Sequence, residues 1–272
     1  MGIYERDYTV LTKEESSEWE LLKQREVVDK IGDLEVLKTL FREYPKAARH
    51  FMSLFPNHYL DIEDLSNETE LGVLSESFRE LISSPTTNER TILTWIRDKK
   101  AYFIVASILH YYNFGHHDAF IFPEFRLGSS YQVDFLIAGR NSGGYEFIFV
   151  ELEAPNGRIT TADGSLGDAF RKGMNQVEEW KGWISEYYSS FQETFNKHKH
   201  PDKPIPREFM KLDATRLHYA VIAGRRSDFE KQGTDKRTYR LQRRTLEEQK
   251  IRLLHYENLY DTSKAIIGKA TY

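Results

Sequence analysis

The stretch YQVDFLIAGRNSGGYEFIFVELEAP, residues 131–155, sets one acid inside an apolar strand pattern and two more at the end of the next. Tyr131 to Ala138 and Tyr145 to Glu153 are rich in aromatic and β-branched residues, and the turn-forming Asn141-Ser142-Gly143-Gly144 lies between them, which predicts a β-hairpin. If the turn is centred between Ser142 and Gly143, Asp134 stands opposite Glu151, and directly opposed residues share a sheet face. Alternation puts Glu153 on that face and turns Val150 and Leu152 to the other. Three ionised carboxylates converging on a half-buried face repel one another and lose hydration unless something positive compensates them. The compensator that suits oxygen donors is a divalent cation, Mg²⁺ or Mn²⁺. The alternative, a strand end where Glu151 and Glu153 are simply hydrated, does not account for an acid between Val133 and Phe135. A bulge would flip the register and break the pairing.

Charge is segregated along the chain. Residues 1–85 hold 18 acids against 10 Lys and Arg, a balance of −8, whereas residues 197–272 hold 18 Lys and Arg against 10 acids, a balance of +8. A basic C-terminal part is the electrostatic footprint of contact with a phosphate backbone, although such runs are also found on the solvated faces of ordinary helices. At 272 residues the chain can bury a sizeable core. The absence of cysteine removes disulfides and cysteine-ligated metal sites and fits a reducing compartment, so a cytoplasmic location is expected. Met1-Gly2-Ile3-Tyr4-Glu5 does not read as a signal peptide. The longest apolar run, Ala101 to Leu109, is far short of the ~20 residues of a membrane-spanning helix, so no membrane partner is expected.

Helical spacing runs through Lys13–Ile31, Leu34–Tyr44, Pro45–Phe55 and Glu70–Ile82, with breaks at Gly32-Asp33, Pro45 and Pro56-Asn57, and predicts a helical module over 1–85. Ser83-Ser84-Pro85 reads as a boundary, and Thr86-x-x-Glu89 as a capping box opening a second domain over 86–272. There the pattern gives helices at Asn88–Arg97 and Ala101–Tyr112, a strand at Ala119–Leu127, the hairpin, a long helix at Leu166–Tyr188, a polar loop at Ser189–Arg216 and a strand at Leu217–Ala223. The loop, with His198, His200 and three prolines, reads as an exposed insertion. Its histidines, like His116 and His117, are expected to be solvated rather than metal-bound. Glu124, next to Pro123, reads as structural. No internal repeat or Gly-rich phosphate loop is present.

The acids on consecutive strands resemble the PD-(D/E)XK nuclease superfamily, whose core sets an acid on one strand and Glu-x-Lys, or a variant, on the next. From about Thr86 to the C-terminus the chain is more specifically similar to the Shedu nuclease family of anti-phage defence, or DUF4263 domain. The resemblance is carried by FPEF-x-LG (Phe122 to Gly128), VDFLI (Val133 to Ile137), VELEAPN (Val150 to Asn156), Thr161-x-x-Gly164, NQVEEW (Asn175 to Trp180), IAGRR (Ile222 to Arg226) and LHYENLY (Leu254 to Tyr260). Together these are specific, whereas an isolated D…ExE is weak.

The resemblance implies an α/β fold with a PD-(D/E)XK restriction-endonuclease-like core, a mixed sheet flanked by helices, following the N-terminal module. It also implies divalent-metal-dependent hydrolysis of DNA, phage DNA being the expected target, and assembly into a homo-oligomer. Asp134 and Glu151 are then metal ligands. Glu153, where the common pattern has Lys, is a third ligand, a base or an acceptor for a metal-bound water. Lys172 and Gln176 share a helix face with Trp180 and Trp183, so Lys172 is the leading source of the missing amine, with Gln176 beside the scissile strand and the tryptophans in the core. Arg225, Arg226, Lys236, Arg237, Arg240, Arg243 and Arg244 are candidate DNA contacts, and the N-terminal module is the expected site of an unknown trigger. Glu89 could reach the metal, but as the acid of a capping box it already has a structural task. Two rival readings stay open: a catalytically decayed nucleic-acid-binding or regulatory module, suggested by Glu153 in place of Lys, and a metal-stabilised scaffold for protein partners.

Overall fold

The computed structural model describes residues 2–31, 34–37, 45–232 and 235–272. The N-terminal part comprises α1 (Lys13–Glu26), an antiparallel pair β1 (Val27–Ile31) and β2 (Leu34–Leu37), α2 (Pro45–Met52) and α3 (Glu68–Ser83). The remainder runs α4 (Glu89–Asp98), α5 (Tyr102–Ala106), β3 (Asp118–Leu127), β4 (Tyr131–Asn141), β5 (Gly144–Leu152), α6 (Asp168–Asn196), β6 (Leu217–Ile222), α7 (Ser227–Gln232), α8 (Asp235–Gln249), β7 (Ile251–Leu254) and α9 (Tyr256–Ile266).

Strands β3 to β7 form one five-stranded mixed sheet in sequential order, β3, β4 and β5 antiparallel, β6 and β7 added in parallel. The hairpin has the expected register: Asn141 pairs with Gly144 and Phe135 with Val150, so Asp134 lies level with Glu151. Gly143 N–H bonds the Asn141 side chain at 2.7 Å, the local contact that makes Asn a turn former.

Each sheet face is covered. Ile137, Ile148, Val150, Leu152, Ala220 and Ile222 pack against α3, α4, α5 and α9, whereas Leu136, Ala138, Phe147, Phe149, Tyr219 and Val221 pack against α6. A parallel pair buried on both faces explains the near-continuous apolar runs of β5 and β6. Ile3, Leu60, Leu65, Phe78 and Ile82 belong to the first of these cores, and Leu54 and Phe55 to the second. Packing is therefore continuous across Ser83-Ser84-Pro85.

Several elements differ from expectation. Val27–Ile31 and Leu34–Leu37 are strands rather than helix. Their β-branched content flanks Gly32-Asp33, which lies outside the described residues, as do positions 38–44 of the expected Leu34–Tyr44 helix. Helix α6 runs on to Asn196, through a non-helical Tyr187, because Tyr188, Phe191 and Phe195 repeat at helical spacing and are buried. β7 is only four residues long and gives no readable period in the sequence. The 86–89 segment is not a capping box: the cap of α4 is Asn88, whose side chain accepts from Thr91 N–H at 2.9 Å, leaving Glu89 in the first turn.

The loop after α6 is anchored by histidines. His58 Nδ1 faces the Ile121 carbonyl at 3.1 Å and so donates, which leaves His58 Nε2 to accept from His198 Nδ1 at 3.1 Å. His200, buried, contacts His50 at 3.3 Å. Burial lowers the pKa of His58 and takes that of His198 down to about 4. The unfolded imidazole takes up its proton below about 6.5, so this contribution to stability is present at neutral pH and is lost as pH falls from about 6.5 to about 4. His198→Asn, which keeps a donor for His58, should flatten that acid limb by up to one proton, about 1.4 kcal/mol per pH unit. Urea unfolding between pH 7 and 4.5 measures it, and identical limbs in both proteins would show that the pair does not titrate with folding.

Candidate active site

The acids gather where β4 begins and β5 ends, beneath α6. Asp134 interrupts both neighbouring ladders. β3 and β4 pair at Pro123 with Phe135 and at Phe125 with Val133, but Glu124 opposite Asp134 has a left-handed φ of 50°. Strict alternation fails here on both strands, since Phe122 and Phe125, like Val133 and Leu136, all face α6. An acid between two apolar residues is thus accommodated at a kink, and the strain at Glu124 is of the kind that collects at functional sites. Asp134 Oδ2 accepts from Leu152 N–H at 2.7 Å, tying β4 to the end of β5.

Glu151 and Glu153 are each only 3% exposed. Glu153 is fixed through its backbone: its N–H donates to the Ile222 carbonyl at 2.8 Å, and its own carbonyl accepts from Tyr256 Oη at 2.7 Å. Glu151 Oε2 and Glu153 Oε1 are buried with no hydrogen-bond partner. Such orphans are costly, and carboxylates at a shared site resist joint ionisation. Burial raises the pKa of Glu151, and Asp134, Glu153 and Glu89 push it further. Asp134 is raised by burial, against the pull of the Leu152 N–H, with Glu89, Glu153 and Glu124 adding to the rise.

Gly173 lets α6 come this close. A Cβ there would stand 2.4 Å from Val221 Cγ1 and 3.4 Å from Glu153 Cγ, so any side chain would push the helix off the sheet. With the helix seated, Lys172 Nζ reaches Glu153 Oε2 at 2.6 Å and Glu89 Oε2 at 3.8 Å. Burial opposes the Lys172 charge, but the bond to Glu153 and the attraction of Glu153, Glu89 and Glu151 outweigh it, and its pKa is raised. The Glu153 carboxyl is raised by burial, with Lys172 acting against the rise.

Asp134, Glu151, Glu153 and Lys172 are thus brought together. Gln176, one turn further along α6, is half-buried with no hydrogen bond to the acids, and Trp180 is core. Glu89 and Glu124, both set aside on sequence, belong to this charge field. No local pattern in the sequence marks Glu89 as part of it, but the left-handed backbone at Glu124 shows only in three dimensions.

The candidate DNA contacts are spread out. Arg225 is engaged by Glu257 at 2.6 Å and by the Ile82 carbonyl at the end of α3, and Arg226 pairs with Asp261. Along α8, Lys236, Arg237, Arg240, Arg243 and Arg244 are exposed. Arg237 donates to the Asp163 carbonyl in the loop after β5 at 2.8 Å, while Arg243 and Arg244 pair with Glu247 and Glu248 four residues on.

The donor set is all carboxylate oxygen, with two orphaned buried atoms, and this fits a hard divalent cation. As the side chains lie, no three acids or histidines among the described residues stand close enough to share one ion. No described helix is long and apolar enough to cross a membrane.

Residues 86–260 match the family described as Shedu protein SduA, C-terminal, starting directly after Pro85. No curated protein matches the chain significantly.

The raised Glu151 carboxyl has a measurable consequence in metal-free protein. Its contribution to stability is present below the ordinary carboxylate value of 4.5 and is lost as pH rises above it, the opposite direction to the histidine pair. Glu151→Gln removes the charge at constant shape, so in chelator at pH 8 it should stabilise the protein by roughly 1–3 kcal/mol. Thermal unfolding decides it: a lower midpoint for the variant would mean that the carboxylate is satisfied by contacts within the fold.

Proposed function

The chain belongs to the Shedu family, and on that premise we propose that it is a divalent-metal-dependent endodeoxyribonuclease of anti-phage defence built on a PD-(D/E)XK core. The observation that carries this reading is the pair of buried, unpartnered carboxylate oxygens on Glu151 and Glu153 beside Asp134, under a lysine. Buried polar atoms in a core ordinarily have partners, and a bound cation would supply one for these oxygens. The mixed five-stranded sheet, with a helix before it and α6 between β5 and β6, supports the superfamily assignment.

Asp134, Glu151 and Glu153 would hold Mg²⁺ or Mn²⁺, with Glu89 as a further carboxylate. When bound, the ion supplies charge neutralisation at the scissile phosphate and an acidified water. Asp134 is held in register by the Leu152 N–H, so its position is set by the strands rather than by its own rotamer. Lys172, protonated and reaching in from α6, brings positive charge to the place where phosphate charge accumulates in the transition state. Glu153 is held by backbone bonds on both sides, so a change in its partner need not move the strand. Gln176 extends the polar face of α6 along the bound strand. The exposed arginines of α8, with Lys236, Arg225 and Arg226, would contact phosphates, the target being DNA of an invading phage. Assembly into a homo-oligomer and recognition of a trigger by the acidic N-terminal part complete the proposal.

One observation favours the second reading, a nucleic-acid-binding or regulatory module that no longer cleaves. Lys172 already neutralises Glu153, so part of the acid cluster is balanced without metal.

Cleavage of linear, nicked and supercoiled DNA with Mg²⁺, Mn²⁺ or chelator separates the two. Metal-dependent cleavage that Asp134→Asn or Glu151→Gln abolishes, and that Lys172→Ala slows by ~10²–10³, supports the nuclease. DNA binding with no cleavage under any metal supports the regulatory module. Replacing Arg237, Arg240 and Arg244 together should weaken DNA binding and lower the slope of log affinity against log salt by about one per lost phosphate contact. An unchanged slope would place the DNA elsewhere.

A further inference from the structure

Three residues past Glu153, the exposed Asn156 makes an unusual set of contacts. Its Nδ2 donates to the carbonyls of Ser84 at 3.2 Å, Pro85 at 3.0 Å and Thr87 at 3.1 Å. These carbonyls line the inside of the turn that joins α3 to α4. The turn closes through Ser84 N–H to the Leu81 carbonyl, Thr87 N–H to the Ser84 carbonyl, and Thr87 Oγ1 to the Leu81 carbonyl at 2.7 Å. It delivers the chain to the Asn88 cap and then to Glu89, whose carboxylate stands 3.8 Å from Lys172 and adds its charge to Asp134, Glu151 and Glu153. Helix α4 is remote in sequence from the β5 end and needs something to fix its start there. Asn156 is a direct hydrogen-bonded link, because the segment that carries Glu151 and Glu153 also carries the amide that grips the turn.

We infer that Asn156 is a positioning residue that holds the 84–87 turn against the end of β5 and thereby sets Glu89 against the acid cluster. The role rests on the reading of that cluster as a divalent-cation site, but its structural half can be measured without metal. The position calls for a donor: a carboxylate there would turn acceptors toward three carbonyl oxygens. Because Asn156 is exposed and outside both cores, its replacement leaves the apolar packing intact.

A double-mutant cycle between position 156 and Glu89 tests the link. In chelator at pH 8, Glu89→Gln relieves repulsion among the acids and raises the unfolding midpoint of the otherwise unaltered protein. In Asn156→Ala and in the near-isosteric Asn156→Asp the same exchange should raise it little or not at all, since Glu89 is no longer held in place. With Mn²⁺ followed by calorimetry, Asn156→Ala should weaken affinity roughly 10-fold, as loss of an outer partner of a metal ligand does, and Glu89→Gln should add nothing further in that background. Additive effects of the two exchanges, with or without Mn²⁺, would overturn the inference. Coupling in chelator combined with no Mn²⁺ binding by the unaltered protein would uphold the positioning role and overturn the cation-site reading instead.

Discussion

The seating of α6 on the sheet at Gly173 is the contact on which the rest of the site depends. A Cβ at this position would collide with Val221 on β6, so the helix reaches the sheet only because the side chain is missing. That approach seals the face carrying Glu151 and Glu153, raises their proton affinity by burial, and swings Lys172 over Glu153. Burial of acids, which most folds avoid, is here a product of close packing, and the nearby lysine offsets only part of the cost. Orphaned oxygens on two of the three acids mark where the compensation stops.

Around that contact the chain brings its acids from four separate places. β4 supplies Asp134 at a kink, β5 and the residue beyond it supply Glu151 and Glu153, α4 supplies Glu89, and β3 supplies Glu124 with a left-handed backbone. The covalent path between them is long, and backbone-directed bonds shorten it: Leu152 N–H to Asp134, Tyr256 Oη to the Glu153 carbonyl, Asn156 to the 84–87 turn. The donor in each is a neutral group. These anchors hold the strands and the turn in place while the carboxylates themselves stay partly unsatisfied.

Much of the centre was legible in residues 131–155, because a two-residue turn fixes the hairpin register and a period of two then fixes which acids share a face. The family resemblance over the C-terminal part rests on the same strands and their neighbours. What was not legible depended on distance along the chain or on elements too short to show a period. Glu89 carries no local signature, because its place follows from the end of α3 and the loop after β5. Val27–Ile31 reads equally as helix or strand, and Leu34–Leu37 and Ile251–Leu254 are too short to decide. The end of α6 was hidden by a polar composition in which Phe191 and Phe195 are the only apolar marks past Tyr188. Arg225 shows the same limit: a basic residue at a strand end looks like a phosphate contact until Glu257 and the Ile82 carbonyl are found holding it.

The acids below α6 are proposed here as a site for a divalent cation. Calorimetric titration of Mn²⁺ into the protein at pH 7.5, repeated in buffers of different ionisation enthalpy, measures both binding and the protons that binding displaces. Saturable binding accompanied by proton release is expected, with both lost in Asp134→Asn and Glu151→Gln. Absence of binding in the unaltered protein, or binding that these two exchanges leave intact, would contradict it.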